Sequence, residues 1–226
     1  MNKKISVLMS VFNDEHNIEN SIKSILNQTY ENFKFLILDD CSTDKTREIL
    51  NKYRSKDKRI KIVYNNENIG LTKSLNKLIS MSDTKLIARQ DDDDISLPNR
   101  LKIQLKHLNK YNLDACTSRA YIKNSKRKIP KFSYLLPENL VIRYKNPYVH
   151  GSLIIKKEIL NKLGNYDENF YYAQDYKLFN DLLQNKYKIK TVKKPLYILN
   201  MEDNISLKFR EEQNYYAECV RNNLQP

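Results

Sequence analysis

The chain has 226 residues and a formal net charge of +13, from 40 Lys and Arg against 27 Asp and Glu. Its 40% hydrophobic content, with only 3 Gly and 6 Pro, excludes wholly disordered, collagen-like and linker-rich proteins. No run approaches the roughly 18 consecutive apolar residues of a membrane-spanning helix. The apolar stretch near the N-terminus is too short for a signal peptide and lacks a cleavage site. These features predict a globular protein in the cytoplasm.

The excess of positive charge favours anionic partners. The densest basic run covers residues 123–131, with the sequence KNSKRKIPK. This run is either a solvated loop or a contact with a membrane or another polyanion, and the sequence leaves both interpretations open. No zinc-finger, aromatic RNA-binding or basic-zipper pattern accompanies it, so nucleic acid is not an expected partner.

The first half of the chain alternates short apolar runs with amphipathic stretches. Apolar runs rich in β-branched residues predict strands at residues 5–11, 33–38, 60–64 and 85–88. Between the strands, apolar side chains recur with helical spacing, and Pro98 is predicted to open the fourth helix. This alternation predicts an α/β fold with a mostly parallel sheet and helices on both faces.

The second half of the sequence is less regular. Residues 111–147 mix short apolar runs with basic loops and predict no defined element. Beyond them the pattern predicts strands at 149–155 and 195–199, and helices at 159–163, 175–183 and 209–223. No internal repeat and no linker of separate composition interrupts the chain, which predicts a single domain over residues 1–226.

Four successive carboxylates, Asp91 to Asp94, follow the fourth predicted strand. Ligands of such sheets bind beyond the carboxyl ends of the strands. Like charges this close repel one another, and a hard divalent cation, which prefers oxygen ligands, would suit them. The alternative is a solvated turn.

Other chemical groups stand at similar positions. Asp39 and Asp40 end the second strand, where they would either accept hydrogen bonds from a nucleoside or cap the next helix. Phe12, just past the first strand, would either stack on a base or join the core. Asp175, at the start of a predicted helix, would either complement the helix dipole or act as a general base.

Six segments in chain order together resemble the family 2 glycosyltransferases, which have the GT-A fold. They are residues 5–13, 21–30, 36–44, 68–76, 88–101 and 164–178. The resemblance covers about residues 4–206. It implies a Rossmann-like sheet flanked by helices, with a nucleotide-sugar half over about residues 1–110. An elaborated acceptor half over about 111–206 and a C-terminal helix over 207–226 would follow.

The resemblance implies roles residue by residue. Asp175 is the implied catalytic base. Asp91 and Asp93 form the metal motif for Mn²⁺ or Mg²⁺, with Asp93 the direct ligand and Asp94 supporting. His150 and Gln174 fall on the acceptor side, and a structural histidine explains His150 equally well. The nucleotide-sugar side comprises Ser10, Phe12 beside the base, Asp40, Asn68, Lys73, Asp91 and Asp92.

Three departures from the family pattern matter. Gln174 stands where the family usually has Glu, which removes a negative neighbour and predicts a less raised pKa for Asp175. Asp92 replaces a usually small residue, and its side chain is expected to point away from the metal. Residues 198–200 replace an aromatic–arginine pair, so a donor-phosphate contact is either missing or supplied by a lysine.

The implied reaction is a metal-dependent, inverting transfer of a sugar from a nucleotide-diphosphate sugar, with UDP the first expectation. The expected acceptor is a hydroxyl of a bacterial cell-surface glycan, such as a lipid-linked or lipopolysaccharide precursor. The basic surface would allow peripheral contact with an anionic membrane.

Two other classes of function are considered. A nucleotidyltransferase would also use a carboxylate-bound metal, but the first turn lacks a glycine-rich phosphate loop. A non-catalytic polyanion-binding protein would explain the charge and leave the ordered acidic segments unexplained.

Overall fold

The structure, a computed structural model, describes residues 4–201 and 209–226. The strands are β1 (Ile5–Val11), β2 (Phe33–Asp39), β3 (Ile60–Tyr64), β4 (Leu86–Arg89), β5 (Ile95–Ser96), β6 (Ala115–Ile122), β7 (Lys128–Ile129), β8 (Ile154–Lys156) and β9 (Ile189–Leu199). The helices are α1 (Ile18–Leu26), α2 (Thr46–Lys56), α3 (Leu71–Met81), α4 (Arg100–Lys110), α5 (Glu138–Val141), α6 (Lys157–Lys162), α7 (Gln174–Gln184) and α8 (Arg210–Asn222).

These strands form one mixed sheet in the order β3-β2-β1-β4-β8-β6-β9-β5, with β7 paired to β6 outside this path. The first four strands along the chain pair in parallel, as the sequence predicts. β8 runs antiparallel to both β4 and β6, and β5 runs antiparallel to β9. The fold is therefore α/β, with a parallel half that carries the carboxyl edge and a mixed half joined to it.

Helices cover both faces of the sheet, as predicted. On one face, Val7 and Met9 of β1 pack with α1, α2 and α4. On the other face, Leu8 of β1 packs with α3, α6, α7 and α8. Successive residues of β1 thus point to opposite cores, as the two-residue period of a strand requires.

β6 escaped the sequence patterns because polar residues are buried in it. β6 contains Thr117 and Ser118, both fully buried. The Thr117 hydroxyl bonds that of Thr191 on β9 at 3.0 Å, and Ser152 Oγ donates to the Ser118 carbonyl at 3.2 Å. β9 begins at Ile189, six residues before the predicted start, because three exposed lysines interrupt the apolar pattern of its first part.

Other boundaries also differ. The predicted strand at 149–155 is wrong in its first part, because His150–Ser152 form a short 3₁₀ turn before β8. Pro98 precedes α4 by two residues. Residues 202–206, at the end of the predicted acceptor half, lie outside the described residues. No helix in the described ranges has the length and apolar character needed to cross a membrane.

Candidate active site

The loops that follow β1 and β2 are joined by hydrogen bonds at the carboxyl edge of the sheet. The Asn13 N–H donates to Ser42 Oγ at 3.0 Å, and the Asp14 N–H donates to Thr46 Oγ1 at 2.9 Å. In return, the N–H of Thr43 donates to Asn13 Oδ1 at 2.8 Å. We call these bonds, between residues 13–15 and 42–46, the two-loop clamp. The clamp fixes the backbone on which Phe12 is carried.

Ser10 and Phe12 lie at this edge in different environments. Ser10 is buried near the end of β1, whereas Phe12 is 47% exposed. The core alternative for Phe12 is therefore wrong, and its ring is free to meet a ligand.

Asp39 and Asp40 both stabilise turns. Asp39 is fully buried and accepts from the Ser42 N–H at 3.0 Å and from Arg47 Nε at 3.1 Å. Asp40 Oδ1 accepts from the Ile69 N–H at 3.0 Å, and its Oδ2 accepts from the Gly70 N–H at 2.8 Å. Asn65 Nδ2 donates a third bond to Asp40 Oδ1, at 2.7 Å. A carboxylate accepts about four hydrogen bonds, and described residues supply these three to Asp40.

Asn68 and Lys73 lie on the two sides of the turn that Asp40 holds. Asn68 is exposed immediately before Ile69, and Lys73 is exposed in the first turn of α3. Gly70 has φ +82°, a left-handed conformation that favours glycine. The turn thus places an amide and a lysine side chain on the surface at the carboxyl edge.

Buried groups on neighbouring elements hold the acidic segment after β4. The Asp91 carboxylate forms an ion pair with the guanidinium of Arg89, which is 1% exposed. The Asp91 N–H donates to Tyr197 Oη of β9 at 3.0 Å. Asp94 Oδ1 accepts from the Asn200 N–H at 2.7 Å. Residues after β4 and at the end of β9 are therefore connected.

Burial and mutual repulsion perturb the carboxyls of this segment. Burial, followed by the charges of Asp91 and Asp14, raises the pKa of Asp93 to about 7. Burial and neighbouring negative charge also raise the pKa values of Asp92 and Asp94 well above the usual range. A bound cation would remove the repulsion, because it favours the ionised form of each carboxyl.

Asp14 belongs to this acidic group, although the sequence argument did not select it. Burial raises its own pKa, and its charge contributes to the raised pKa values of Asp92 and Asp93. Its Oδ2 atom is buried without a hydrogen-bond partner. The sequence could have indicated Asp14, because it lies three residues after β1 and the other acidic residues of this group also follow a strand.

The donor set suits a hard divalent cation. Such an ion typically takes one or two protein carboxylates and completes its shell with phosphate oxygens and water. In the described ranges, no group of three or more His, Cys, Asp or Glu side chains is arranged to hold a metal ion. Asp91 is engaged by Arg89, which leaves Asp93 as the better candidate ligand.

Asp175 lies in the first turn of α7, one residue after Gln174, which begins the helix. Its Oδ2 accepts from Asn146 Nδ2 at 2.7 Å, and its Oδ1 accepts from the Tyr176 N–H at 2.7 Å. Asn146 lies 29 residues earlier in an irregular segment, and no sequence pattern indicated it. Ala173, the residue before Gln174, has φ 52°, so the chain enters α7 through a residue in the left-handed conformation.

The structure brings Asp175 and the acidic segment into electrostatic contact. Burial raises the pKa of Asp175, and the negative charge of Asp91 raises it further. Burial raises the pKa of the Tyr166 hydroxyl, and the charges of Asp91 and Asp175 raise it further. Asp91 and Asp175, far apart in sequence, therefore lie within range of each other's charge.

His150 lies beside this site as a neutral side chain. Its Nε2 shares a hydrogen bond of 2.7 Å with Tyr166 Oη. Burial, helped by the positive charge of Arg89, lowers the pKa of His150 to about 3. At neutral pH the ring carries no charge and is held by Tyr166, as the structural interpretation of this residue expects.

Comparisons with known proteins agree with this geometry. The family model described as "Glycosyl transferase family 2" matches residues 6–175. The uncharacterized glycosyltransferase MJ1057 of Methanocaldococcus jannaschii is 34% identical to this chain. The match covers 93% of this chain and 76% of MJ1057. The UDP-Glc:alpha-D-GlcNAc-diphosphoundecaprenol beta-1,3-glucosyltransferase WfgD of Escherichia coli is 29% identical to this chain. The match covers 80% of this chain and 70% of WfgD.

Solved structures show the same fold at lower identity. S. aureus TarS in complex with UDP-GlcNAc superposes with a TM-score of 0.80 at 21% identity, over 96% of this chain and 65% of its own. The mannosyltransferase PcManGT of Pyrobaculum calidifontis, in complex with GDP-Man and Mn²⁺, superposes with a TM-score of 0.79 at 19% identity. The match covers 100% of this chain and 66% of PcManGT. The family model covers most of the chain, and the fold is that of the GT-A enzymes. The chain belongs to glycosyltransferase family 2, a family of sugar-transferring enzymes.

Proposed function

We propose that the chain transfers a sugar from a nucleotide-diphosphate sugar, with a UDP-sugar the first candidate, to a hydroxyl of a cell-surface glycan precursor. The observation that carries the proposal is that Asp91, in the acidic segment after β4, lies near enough to Asp175 for its charge to raise the pKa of Asp175. The Asp91–Asp94 segment would hold the diphosphate end of the donor, and Asp175 would receive the acceptor. TarS, solved with UDP-GlcNAc, supports the choice of donor class.

Asp175 is the proposed base of an inverting displacement. Its carboxylate takes the proton of the acceptor hydroxyl while that oxygen bonds to the anomeric carbon. The bond from this carbon to the diphosphate oxygen breaks on the opposite face, which inverts the configuration. Asn146 and the Tyr176 N–H orient the carboxylate. The raised pKa of Asp175 favours proton uptake, despite the glutamine at 174.

Asp93 is the proposed ligand of Mn²⁺ or Mg²⁺, and Asp91 lies beside it with its carboxylate fixed by Arg89. When bound, the divalent cation would stabilise charge on the diphosphate leaving group. Manganese in the PcManGT complex supports this choice. Asp94, held by the Asn200 N–H, would keep the segment in position.

The nucleoside is proposed to lie on the carboxyl edge between β1 and β2. The exposed Phe12 ring would contact the base, and Ser10 would lie beneath it. Asp40 would accept a hydrogen bond from the nucleoside, and its other bonds would hold the turn that presents Asn68. Lys73 and Asp92 are proposed to contribute on the phosphate side.

The acceptor is proposed to be a lipid-linked or other cell-surface glycan precursor. The name of WfgD describes transfer to a diphosphoundecaprenol-linked sugar, which supports an acceptor of this class. His150 and Gln174, beside Asp175, would face it. The neutral His150 can donate or accept a hydrogen bond without adding charge to the site.

A thermal-shift panel tests the proposal. UDP, GDP, CDP and their sugars are each added with Mn²⁺ or with EDTA, because a ligand that binds the folded state raises the melting temperature. We expect stabilisation by one nucleotide family that requires Mn²⁺. A folded protein that responds to none of them would contradict the proposal.

A further inference from the structure

A concentrated apolar surface follows β7. Five of the twelve large apolar side chains that are exposed in the described ranges fall within residues 132–144. They are Phe132, Leu135, Leu136, Leu140 and Tyr144, with exposures from 50% to 78%. Scattered exposed apolar residues are common, but a contiguous group of this kind marks an interaction surface.

Three of these side chains border a groove of about 620 Å³. Phe132, Leu136 and Tyr144 line it, together with residues 129–131 and 145–149. A short 3₁₀ turn at Ser133–Leu135 and the single-turn helix α5 form the outer part of this surface. The apolar groups therefore project from short turns, without a sheet or long helix covering them.

Basic side chains surround the same surface. Residues 123–145 contain seven Lys and Arg and one acidic residue, Glu138. Six of the seven basic residues are exposed; they are Lys126, Arg127, Lys128, Lys131, Arg143 and Lys145. The Lys131 ammonium lies 5.3 Å from the centre of the Phe132 ring, so charge and apolar surface are adjacent. Exposed aliphatic groups with a Lys and Arg rim match a bilayer interface, where acyl chains lie beneath anionic headgroups.

The groove also reaches the proposed catalytic base. Asn146, one of its lining residues, donates the hydrogen bond to Asp175. A protein lying on a membrane through this surface would hold Asp175 close to the headgroup layer. An acceptor anchored in that layer would then reach the base without leaving the membrane.

We propose that residues 126–149 form a docking surface for an anionic phospholipid bilayer. The basic rim binds the headgroups, and Phe132, Leu135, Leu136, Leu140 and Tyr144 enter the interface. The role of this surface in presenting an acceptor rests on the proposed transferase function, but the docking itself does not.

Sedimentation with vesicles tests the docking surface without any nucleotide sugar. The full chain is mixed with vesicles of phosphatidylcholine alone, or of phosphatidylcholine with phosphatidylglycerol, at low and high salt. We expect binding to the anionic vesicles that weakens with salt, because screening acts on exposed charges. Failure to bind anionic vesicles at low salt would overturn the proposal.

Two pairs of variants locate the surface. The triple variant Lys126→Glu, Arg127→Glu, Lys128→Glu should weaken binding to anionic vesicles by about a hundredfold. Arg54→Glu, Lys56→Glu, Lys58→Glu changes the net charge equally on another exposed surface and should retain most of the affinity. Leu136→Ser should also weaken binding. Leu224→Ser is the matched control, because Leu224 is 58% exposed and Leu136 is 56% exposed, and it should not weaken binding.

Equal losses in both charge variants, or no difference between the two leucine variants, would overturn the assignment to this surface. Salt-sensitive binding to an RNA oligonucleotide with none to vesicles would also overturn it. The nucleotide panel on the same variants separates the two proposals. Normal vesicle binding in a chain that binds no nucleotide would remove the transferase proposal and leave the docking surface intact.

Discussion

Asp175 and His150 illustrate how neighbouring groups set the chemistry of single side chains. Both lie near Asp91, yet their pKa values move in opposite directions. In each case burial disfavours the charged form, so the pKa of the acid rises and the pKa of the imidazole falls. The site therefore combines a carboxyl inclined to accept a proton with a ring that stays neutral.

Replacing Asp175 with Asn should lower kcat by roughly 10²–10⁴-fold, because the amide cannot take the proton of the acceptor. Donor binding should stay unchanged, as measured by the thermal shift with nucleotide and Mn²⁺. The wild-type rate should rise with pH through the raised pKa of Asp175, since the base works in its ionised form. Asp181→Asn, on the same helix and paired with Lys177, is the matched control and should retain activity.

Replacing Asp93 with Asn should abolish the Mn²⁺-dependent part of the nucleotide thermal shift. The amide lacks the negative charge that a hard cation prefers, so metal affinity should fall. Asp83→Asn, which removes an exposed partner of Lys34, serves as control. Equal Mn²⁺-dependent shifts in the two variants would contradict the assignment of the ligand.

His150 predicts a pH dependence of stability. The folded protein holds the ring neutral down to about pH 3, whereas the unfolded chain protonates it near pH 6.5. The unfolded state binds more protons between these values, so the free energy of unfolding falls as the pH falls. Urea titrations of His150→Gln should show this fall reduced by about 3 kcal/mol between about pH 7 and about pH 4. The exposed His16, replaced in the same way, is the control for loss of a surface imidazole.

At the scale of elements, the 3₁₀ turn His150–Ser152 lies against both Asp91, after β4, and Tyr197 of β9. A Cβ on Gly151 would lie 2.4 Å from Asp91 Oδ2 and 2.4 Å from Tyr197 Oη. The turn thus allows the acidic segment after β4 to reach the tyrosine of β9. Glycine is required here for close approach, not for an unusual backbone angle.

Gly151→Ala should therefore move Asp91 and weaken Mn²⁺-dependent nucleotide binding. Gly164→Ala offers a contrast, because Gly164 has φ +81° but no atom within 4 Å of the added Cβ. That variant should lose about 1 kcal/mol of stability with normal nucleotide binding. Normal binding in Gly151→Ala, measured by thermal shift beside Gly164→Ala, would show that Asp91 tolerates displacement.

The predictability of each element from the sequence follows from its burial. β1 and β2 are buried on both faces and consist of apolar runs, so their positions can be predicted from the sequence. β6 buries hydroxyls that bond to neighbouring strands, and no apolar pattern identifies it. In the site, Asp91 and Asp175 stand at element ends and were predicted, whereas Asn146 reaches Asp175 from an irregular segment. Such a contact depends on tertiary packing alone.

At the scale of the whole molecule, the C-terminal helix is part of the main core. Cys219 and Val220 of α8 are buried in the same cluster as Tyr176 and Phe179 of α7. The sheet runs without interruption from β3 to β5, so both halves share it. We therefore expect the proposed single domain to unfold as one cooperative unit.

Val220→Ala should lower the free energy of unfolding by about 2 kcal/mol, through lost burial and the cavity left behind. Circular dichroism at the helical band and tyrosine fluorescence should report the same urea midpoint in wild type and variant. Leu224→Ala, at an exposed position of the same terminus, should change little. Two separate midpoints would argue that α8 and the sheet unfold independently.

The two-loop clamp has a kinetic and entropic consequence for donor binding. Hydrogen bonds from the amides of Asn13 and Asp14 to side chains of the neighbouring loop hold both loops before any ligand arrives. Binding a nucleotide then requires little additional ordering of the backbone, so less conformational entropy is lost and more of the contact energy appears as affinity. In hydrogen–deuterium exchange, the amides of these two loop residues should exchange at rates typical of strands and change little when nucleotide is added.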